Sequence, residues 1–192
     1  MNHEKQALVD YYRLLRQHGY NDSHSGNGSV WDGDVAWVTP TGASGDTLTP
    51  DALVACPLGG TPPDGTSLDA ALHLAVYRTN PAARAVLHSH GPHAIALSLA
   101  GEDFVPVDFE GATLFPRVPV LDIAYADYVA KSPVRVAAAL AHHPVAIVRG
   151  HGVYAWGETL DRAYRWNCQV EASARIAWLA RVGGTPGSDG SQ

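Results

Sequence analysis

His88-Ser89-His90 closes the apolar run Ala85-Val86-Leu87, and Arg149-Gly150-His151-Gly152 closes a second run, Val145-Ala146-Ile147-Val148. Neutral imidazole is the commonest side-chain metal ligand. Residues two apart on a strand project from one face, so His88 and His90 can share one ion at about 2.0–2.1 Å from each nitrogen. His151 would add a third imidazole from a neighbouring strand. Three neutral donors leave one position for a further ligand or for substrate.

A carboxylate is available to work beside them. Asp69 opens the helical pattern Leu72, Ala75, Val76, Tyr77, which ends near Asn80-Pro81 and leads into the strand carrying His88. From that first turn Asp69 can fold back over the strand end and take a proton from substrate polarised by an ion. Its bland reading, a helix N-terminal charge worth about 0.3–1 kcal/mol against the macrodipole, is compatible with this role. His73 lies four residues later on the same helix face, and either orients Asp69 or sits in the core as a satisfied histidine. His93, His142 and His143 read as surface or helix-end residues rather than ligands, whereas His24 directly precedes the turn Gly26-Asn27-Gly28.

The elements that must position these groups alternate along the chain. Leu8, Tyr11, Tyr12 and Leu15 give helical spacing over 7–17, stopped at Gly19. Short β-like runs follow at 29–31 and 35–38, joined by Asp32-Gly33-Asp34. The stretch 92–100 reads as a helix with Pro near its first turn and Gly101 as its stop. Ser132-Pro133 is read as opening another helix that runs to about His142, and a last helix covers about 159–182 before Gly183-Gly184.

At 192 residues and 46% hydrophobic content, the chain can bury one sizeable core, with no linker or repeat dividing it. The expected organisation is one domain over 1–184 and a flexible Gly/Ser/Pro-rich tail over 185–192. A net charge of −6 with only thirteen scattered Lys and Arg excludes a nucleic-acid surface and favours small-molecule partners. Two cysteines make no disulfide framework, the polar start Met1-Asn2-His3-Glu4-Lys5 is no signal peptide, and no apolar run approaches the roughly 20 residues of a membrane span. Cytoplasmic location is the default expectation.

Several spaced motifs in one order carry a family resemblance: Ser25-Gly26-Asn27-Gly28-Ser29, Thr39-Pro40-Thr41-Gly42, Ser67-Leu68-Asp69 with His73 and Tyr77, Ala85-Val86-Leu87-His88-Ser89-His90, and His151-Gly152-Val153-Tyr154-Ala155-Trp156-Gly157. Over about residues 5–182 the chain resembles the class II aldolase and adducin family. The resemblance implies a three-layer α/β/α sandwich around a mainly antiparallel sheet. It also implies a divalent ion on His88, His90 and His151, and a homotetramer with active sites between subunits. By the same resemblance Asp69 is a base, and Gly26, Asn27, Thr41, Gly42 and Ser67 form a phosphate pocket of backbone N–H groups and hydroxyls.

Two departures bear on function. Ser67 is followed by Leu68 where the family's sugar-phosphate enzymes commonly carry a second hydroxyl, which weakens phosphate recognition. Counting nineteen residues past His90 reaches Phe109, which transfers no proton, where the family's aldolase has a tyrosine. Asp108 and Glu110 flank it, and Asp108 is taken as the second proton-transfer residue, brought to a neighbouring subunit's ion by the segment 104–119.

The expected activity is a metal-dependent carbon-carbon lyase of aldolase type, passing through an enediolate on a small sugar-like or hydroxy-keto substrate. A 3-oxo acid decarboxylase and a pentose-phosphate 4-epimerase are the alternatives on the same metal site. An adducin-like binding module is the non-enzymatic one, and it has no need of three converging imidazoles. Zinc suits the donor set, with manganese, cobalt, nickel or iron also compatible.

Overall fold

A computed structural model describes residues 2–184, so the tail read at 185–192 lies outside the described residues. In chain order the elements are α1 (Asn2–Gln17), β1 (Asn27–Trp31), β2 (Val35–Val38), β3 (Val54–Pro57), α2 (Ala70–Thr79), β4 (Ala85–Ser89), α3 (Pro92–Ser98), α4 (Phe109–Leu114), β5 (Val120–Leu121), α5 (Tyr128–Leu140), β6 (Val145–Val148), β7 (Gly152–Gly157) and α6 (Leu160–Val182). The strands form one seven-stranded sheet in the order β3-β2-β1-β4-β7-β6-β5. All neighbours are antiparallel except β5 and β6.

Strand alternation divides the core between the two faces. Val86, Ala146, Val148 and Tyr154 pack with Leu72 and Val76 of α2 and Val136 and Leu140 of α5. The intervening residues turn the other way. Ala85 and Leu87 meet Leu8, Tyr12 and Leu15 of α1, and Val153 and Ala155 meet Ala94 of α3 and Val170 and Ala174 of α6. Helices therefore cover both faces, the α/β/α sandwich expected from the resemblance.

Most boundaries follow local chemistry. Thr159 caps α6 by accepting from the Arg162 N–H at 3.1 Å. Asn80 ends α2, and Gly19 and Gly101 leave their helices at φ 73° and 81°. One expectation fails. Ser132-Pro133 does not open α5, which begins at Tyr128 after a 3-10 turn over Tyr125–Asp127, so Pro133 lies inside the helix. The missing proline N–H is tolerated because both ends of this stretch are pinned: Tyr128 and Ser132 are buried, and Val136, Ala137 and Leu140 pack on the sheet. β3, α4 and β5 carried no sequence signal strong enough to be read.

Candidate active site

Register builds the site's floor. Asn27 on β1 faces His88 on β4, and His88 faces Tyr154 on β7, so the three share one row on the face covered by α2 and α5. The His88 and Tyr154 rings stack with centroids 3.9 Å apart and planes 2° from parallel. His88 Nδ1 lies 2.9 Å from the Val153 carbonyl, an obligate acceptor, so Nδ1 carries the proton and Nε2 presents its lone pair.

His90 lies just past the strand end, with its backbone N–H shared between the Tyr20 carbonyl at 2.8 Å and Asn21 Oδ1 at 3.0 Å. His151 stands in the turn from β6 to β7, reached through Gly150 at φ 67°. From His88 Nε2 the other two Nε2 atoms are 2.8 Å (His90) and 3.2 Å (His151) away. Three nitrogens at about 2.0–2.1 Å from one tetrahedral ion lie roughly 3.4 Å from one another. The trio fits a divalent cation.

Gly152 makes this convergence sterically feasible, since a Cβ there would sit 2.4 Å from the Ser89 carbonyl oxygen and 2.7 Å from His88 Cε1. Burial pushes the His88 pKa well below its ordinary value, takes His90 down to about 4 and lowers His151 as well. All three are neutral near pH 7, as ligands must be.

Asp69 is the N-cap residue of α2, yet its side chain makes no cap bond. It turns onto the floor instead. Oδ1 accepts from Tyr128 at 2.6 Å, and Oδ2 accepts from Tyr154 at 2.9 Å and from Asn27 Nδ2 at 2.8 Å. Oδ2 is 3.9 Å from His88 Nε2, and the two phenol hydroxyls also touch each other. Burial alone would raise the Asp69 pKa, but His88 and the hydrogen bonds from Tyr128 and Asn27 outweigh it and hold the carboxyl below its usual range. Burial, with Asp69 adding to it, pushes both tyrosines up, so they stay protonated donors.

A cleft of ≈ 260 Å³ opens over the three histidines and Asp69, the size for a small metabolite. The expected substrate-binding residues Gly26, Asn27, Thr41, Gly42 and Ser67 all line it, as does His24. Leu68, 66% exposed, also faces it, and no Lys or Arg lines it among the described residues. Gly26, at φ 70°, lies so close to the β4 end that a Cβ would fall 2.6 Å from the His88 carbonyl oxygen.

His73, His93 and Asp108 do not line this cleft. His73 is a core histidine whose Nδ1 bonds Ser29 Oγ at 2.7 Å rather than Asp69. His93 pairs with Glu171 at 2.7 Å, away from the cleft. Asp108 caps α4, accepting from the Gly111 N–H at 2.8 Å, and does not line the cleft of its own chain. Tyr128 and Tyr154 were not foreseen from sequence as partners of Asp69. For Tyr154 a signal existed: strand alternation from Val153 and Ala155 puts it on the histidine face.

Sheet order, layering and donor set together define a sandwich of class II aldolase type. The chain belongs to the class II aldolase and adducin family, whose sequence description, "Class II Aldolase and Adducin N-terminal domain", matches residues 6–178. Methylthioribulose-1-phosphate dehydratase of Pseudomonas aeruginosa is 32% identical over 185 residues, which cover 87% of this chain and 88% of the dehydratase. L-ribulose-5-phosphate 4-epimerase of Salmonella paratyphi B is 28% identical, over 92% of this chain and 85% of the epimerase. Among solved structures, L-fuculose-1-phosphate aldolase of Thermus thermophilus superposes with a TM-score of 0.87 at 33% identity, covering 94% of this chain and 96% of the aldolase.

Proposed function

We propose that the protein is a divalent-metal-dependent lyase that makes or breaks a carbon-carbon bond beside the carbonyl of a small hydroxy-keto substrate. The observation that carries this reading is Asp69: an anionic carboxylate held by three donors, 3.9 Å from a metal-facing imidazole nitrogen, at the floor of a small cleft. His88, His90 and His151 would hold the ion, zinc being the choice that suits them and manganese, cobalt, nickel and iron also fitting the donors. When bound, the ion polarises the substrate carbonyl and neutralises the charge that develops on its oxygen. Asp69 holds or delivers the proton at the neighbouring carbon.

Gly26, Asn27, Thr41, Gly42 and Ser67 would receive the substrate's polar end. Among the described residues of one chain only dipoles meet an anion there, since no Lys or Arg lines the cleft, and Leu68 adds an apolar wall. A homotetramer is part of the proposal, with the segment 104–119 at the contact; exposed Val105, Val107 and Phe109 support it. Asp108 is the carboxylate that this segment offers to a neighbouring site. A cytoplasmic setting suits the free thiols Cys56 and Cys168, and no described helix is long and apolar enough to cross a membrane.

Elimination of water is the second reading, favoured by the 32% identity with the dehydratase. It begins with the same proton removal beside the carbonyl. Metal analysis and product identification separate the outcomes. The wild type should carry about one ion per chain, and His90→Ala should lower that at least tenfold, because two imidazoles hold an ion poorly. Full occupancy in His90→Ala overturns the ligand set. Given a panel of hydroxy-ketones, the loaded enzyme should release an aldehyde and a shorter ketol. An unbroken carbon skeleton short of one water assigns the dehydratase reading, and an inverted carbinol centre would show an epimerase. No turnover at full occupancy overturns all three.

A further inference from the structure

Carbon-carbon cleavage of a hydroxy-ketone needs two proton transfers, one at the carbon beside the carbonyl and one at the β-hydroxyl that becomes the aldehyde. Asp69 supplies the first; Asp108 would serve only a neighbouring subunit's site, and Phe109, which is 88% exposed, transfers no proton. We infer that Tyr128 is a catalytic residue of the same chain: its hydroxyl exchanges a proton with the substrate hydroxyl and relays it to and from Asp69. This rests on the proposed lyase activity.

The two carboxylate oxygens are served differently. Oδ2 is enclosed by Tyr154 and Asn27, which are 0% and 8% exposed. Oδ1 has Tyr128 as its only hydrogen-bond partner among the described residues, at 2.6 Å. Tyr128 also lines the cleft, which Tyr154 does not. Asp69 itself lines the cleft and can meet the α-carbon directly, while the Tyr128 hydroxyl links its Oδ1 to a substrate hydroxyl in the same cleft. The ring stands 4.7 Å from that of His151, which keeps the phenol beside the metal-facing nitrogens. Asp108, proposed above for a neighbouring subunit's site, does not line the cleft of its own chain and so does not compete with Tyr128 there.

The step balances without an added reactant. In cleavage the β-hydroxyl proton moves to the Tyr128 oxygen as the phenolic proton moves to Asp69 Oδ1. The carbon-carbon bond breaks, its electron pair passing to the α-carbon and its carbonyl, and the aldehyde departs. Asp69 then gives its proton to the α-carbon. Tyr128 ends as phenol and Asp69 as carboxylate, and the substrate's hydroxyl proton has become a carbon-bound one.

Exchange and bond formation separate this role from a structural one. Metal-loaded wild type and Tyr128→Phe, matched for metal content and melting temperature, are incubated in D2O with dihydroxyacetone or its phosphate. Deuterium entry at the carbinol carbon is followed by NMR. Glycolaldehyde is then added and the new carbon-carbon bond is measured. Exchange needs Asp69 alone, so Tyr128→Phe should keep it within about threefold while bond formation falls about 10²-fold or more. Equal losses in both, or in neither, overturn the inference, because equal losses mean that Tyr128 only holds Asp69 in place. Wild type that exchanges neither ketol overturns the lyase reading and Tyr128's role with it. If Tyr128→Phe melts below assay temperature, 3,5-difluorotyrosine at position 128 reads the same split. Its more acidic phenol must change bond formation while leaving exchange in place, and an unchanged rate overturns the inference.

Discussion

Among the described residues two carboxylates are almost fully enclosed, Asp69 at 4% exposure and Glu171 at 3%, and each meets the start of a helix. Glu171 reaches from α6 to the first turn of α3. Its Oε1 accepts from the His93 N–H at 3.0 Å and from His93 Nδ1 at 2.7 Å, and its Oε2 accepts from the Ala94 N–H at 3.0 Å. The packing around it is tight, for a Cβ on Gly91 would lie 2.3 Å from Glu171 Oε2. Two of these three donors are backbone amides, which cannot give up their protons, so the cluster serves to join two helices. Asp69 leaves its own helix uncapped and takes phenols and an amide as donors beside an open cleft. Burial of a carboxylate is common to both. The kind of donor, and the three imidazoles that converge beside Asp69, separate a reacting group from a fastening.

Replacing each carboxylate by its amide tests that contrast. Asp69→Asn should lower turnover about 10²-fold or more while keeping most of the metal and the melting temperature, since Asn keeps the shape but takes no proton. Steady-state kinetics at measured metal content checks it; unchanged turnover on a hydroxy-ketone would remove Asp69 from the reaction. Glu171→Gln should behave in the opposite way. One amide hydrogen must now face the α3 amides, and urea unfolding should show a loss of about 2 kcal/mol with turnover per folded molecule retained. If Glu171→Gln abolishes turnover in folded protein, the contrast between the two carboxylates fails. Asp108 gives the smallest effect on stability: its Oδ2 caps α4, so Asp108→Ala should cost about 1 kcal/mol in the same assay, and a loss of turnover in assembled protein beyond that would belong to the neighbouring site it is proposed to serve.

The polar half of the site was legible where the chain writes it locally. His88-Ser89-His90 at the end of an apolar run, Gly150-His151-Gly152 at the end of another, and Asp69 at a helix start are short-range patterns with a physical reading. The phenols around Asp69 were not legible, because their meaning is long-range. Tyr128 and Tyr154 stand 59 and 85 residues from Asp69 in sequence, and each also reads as a core aromatic. Tyr128 was hidden further by Pro133, which drew the expected start of α5 toward itself and left the tyrosine outside the helix that positions it. Short elements such as β5, two residues paired in parallel to β6, owe their existence to the neighbour rather than to their own pattern.

The row formed by Asn27, His88 and Tyr154 has a consequence for the order of events in folding. Each residue comes from a different strand, and the pairs are joined only when β1, β4 and β7 are in register. A slip of one residue in β4 would send His88 to the opposite face, among the apolar contacts of α1 and α6. His88 and His151, 63 positions apart, must also have closed the loop between them before their nitrogens meet. Capture of the proposed ion would therefore come late, because the correctly paired centre of the sheet is the first form of the chain that could hold it through all three imidazoles.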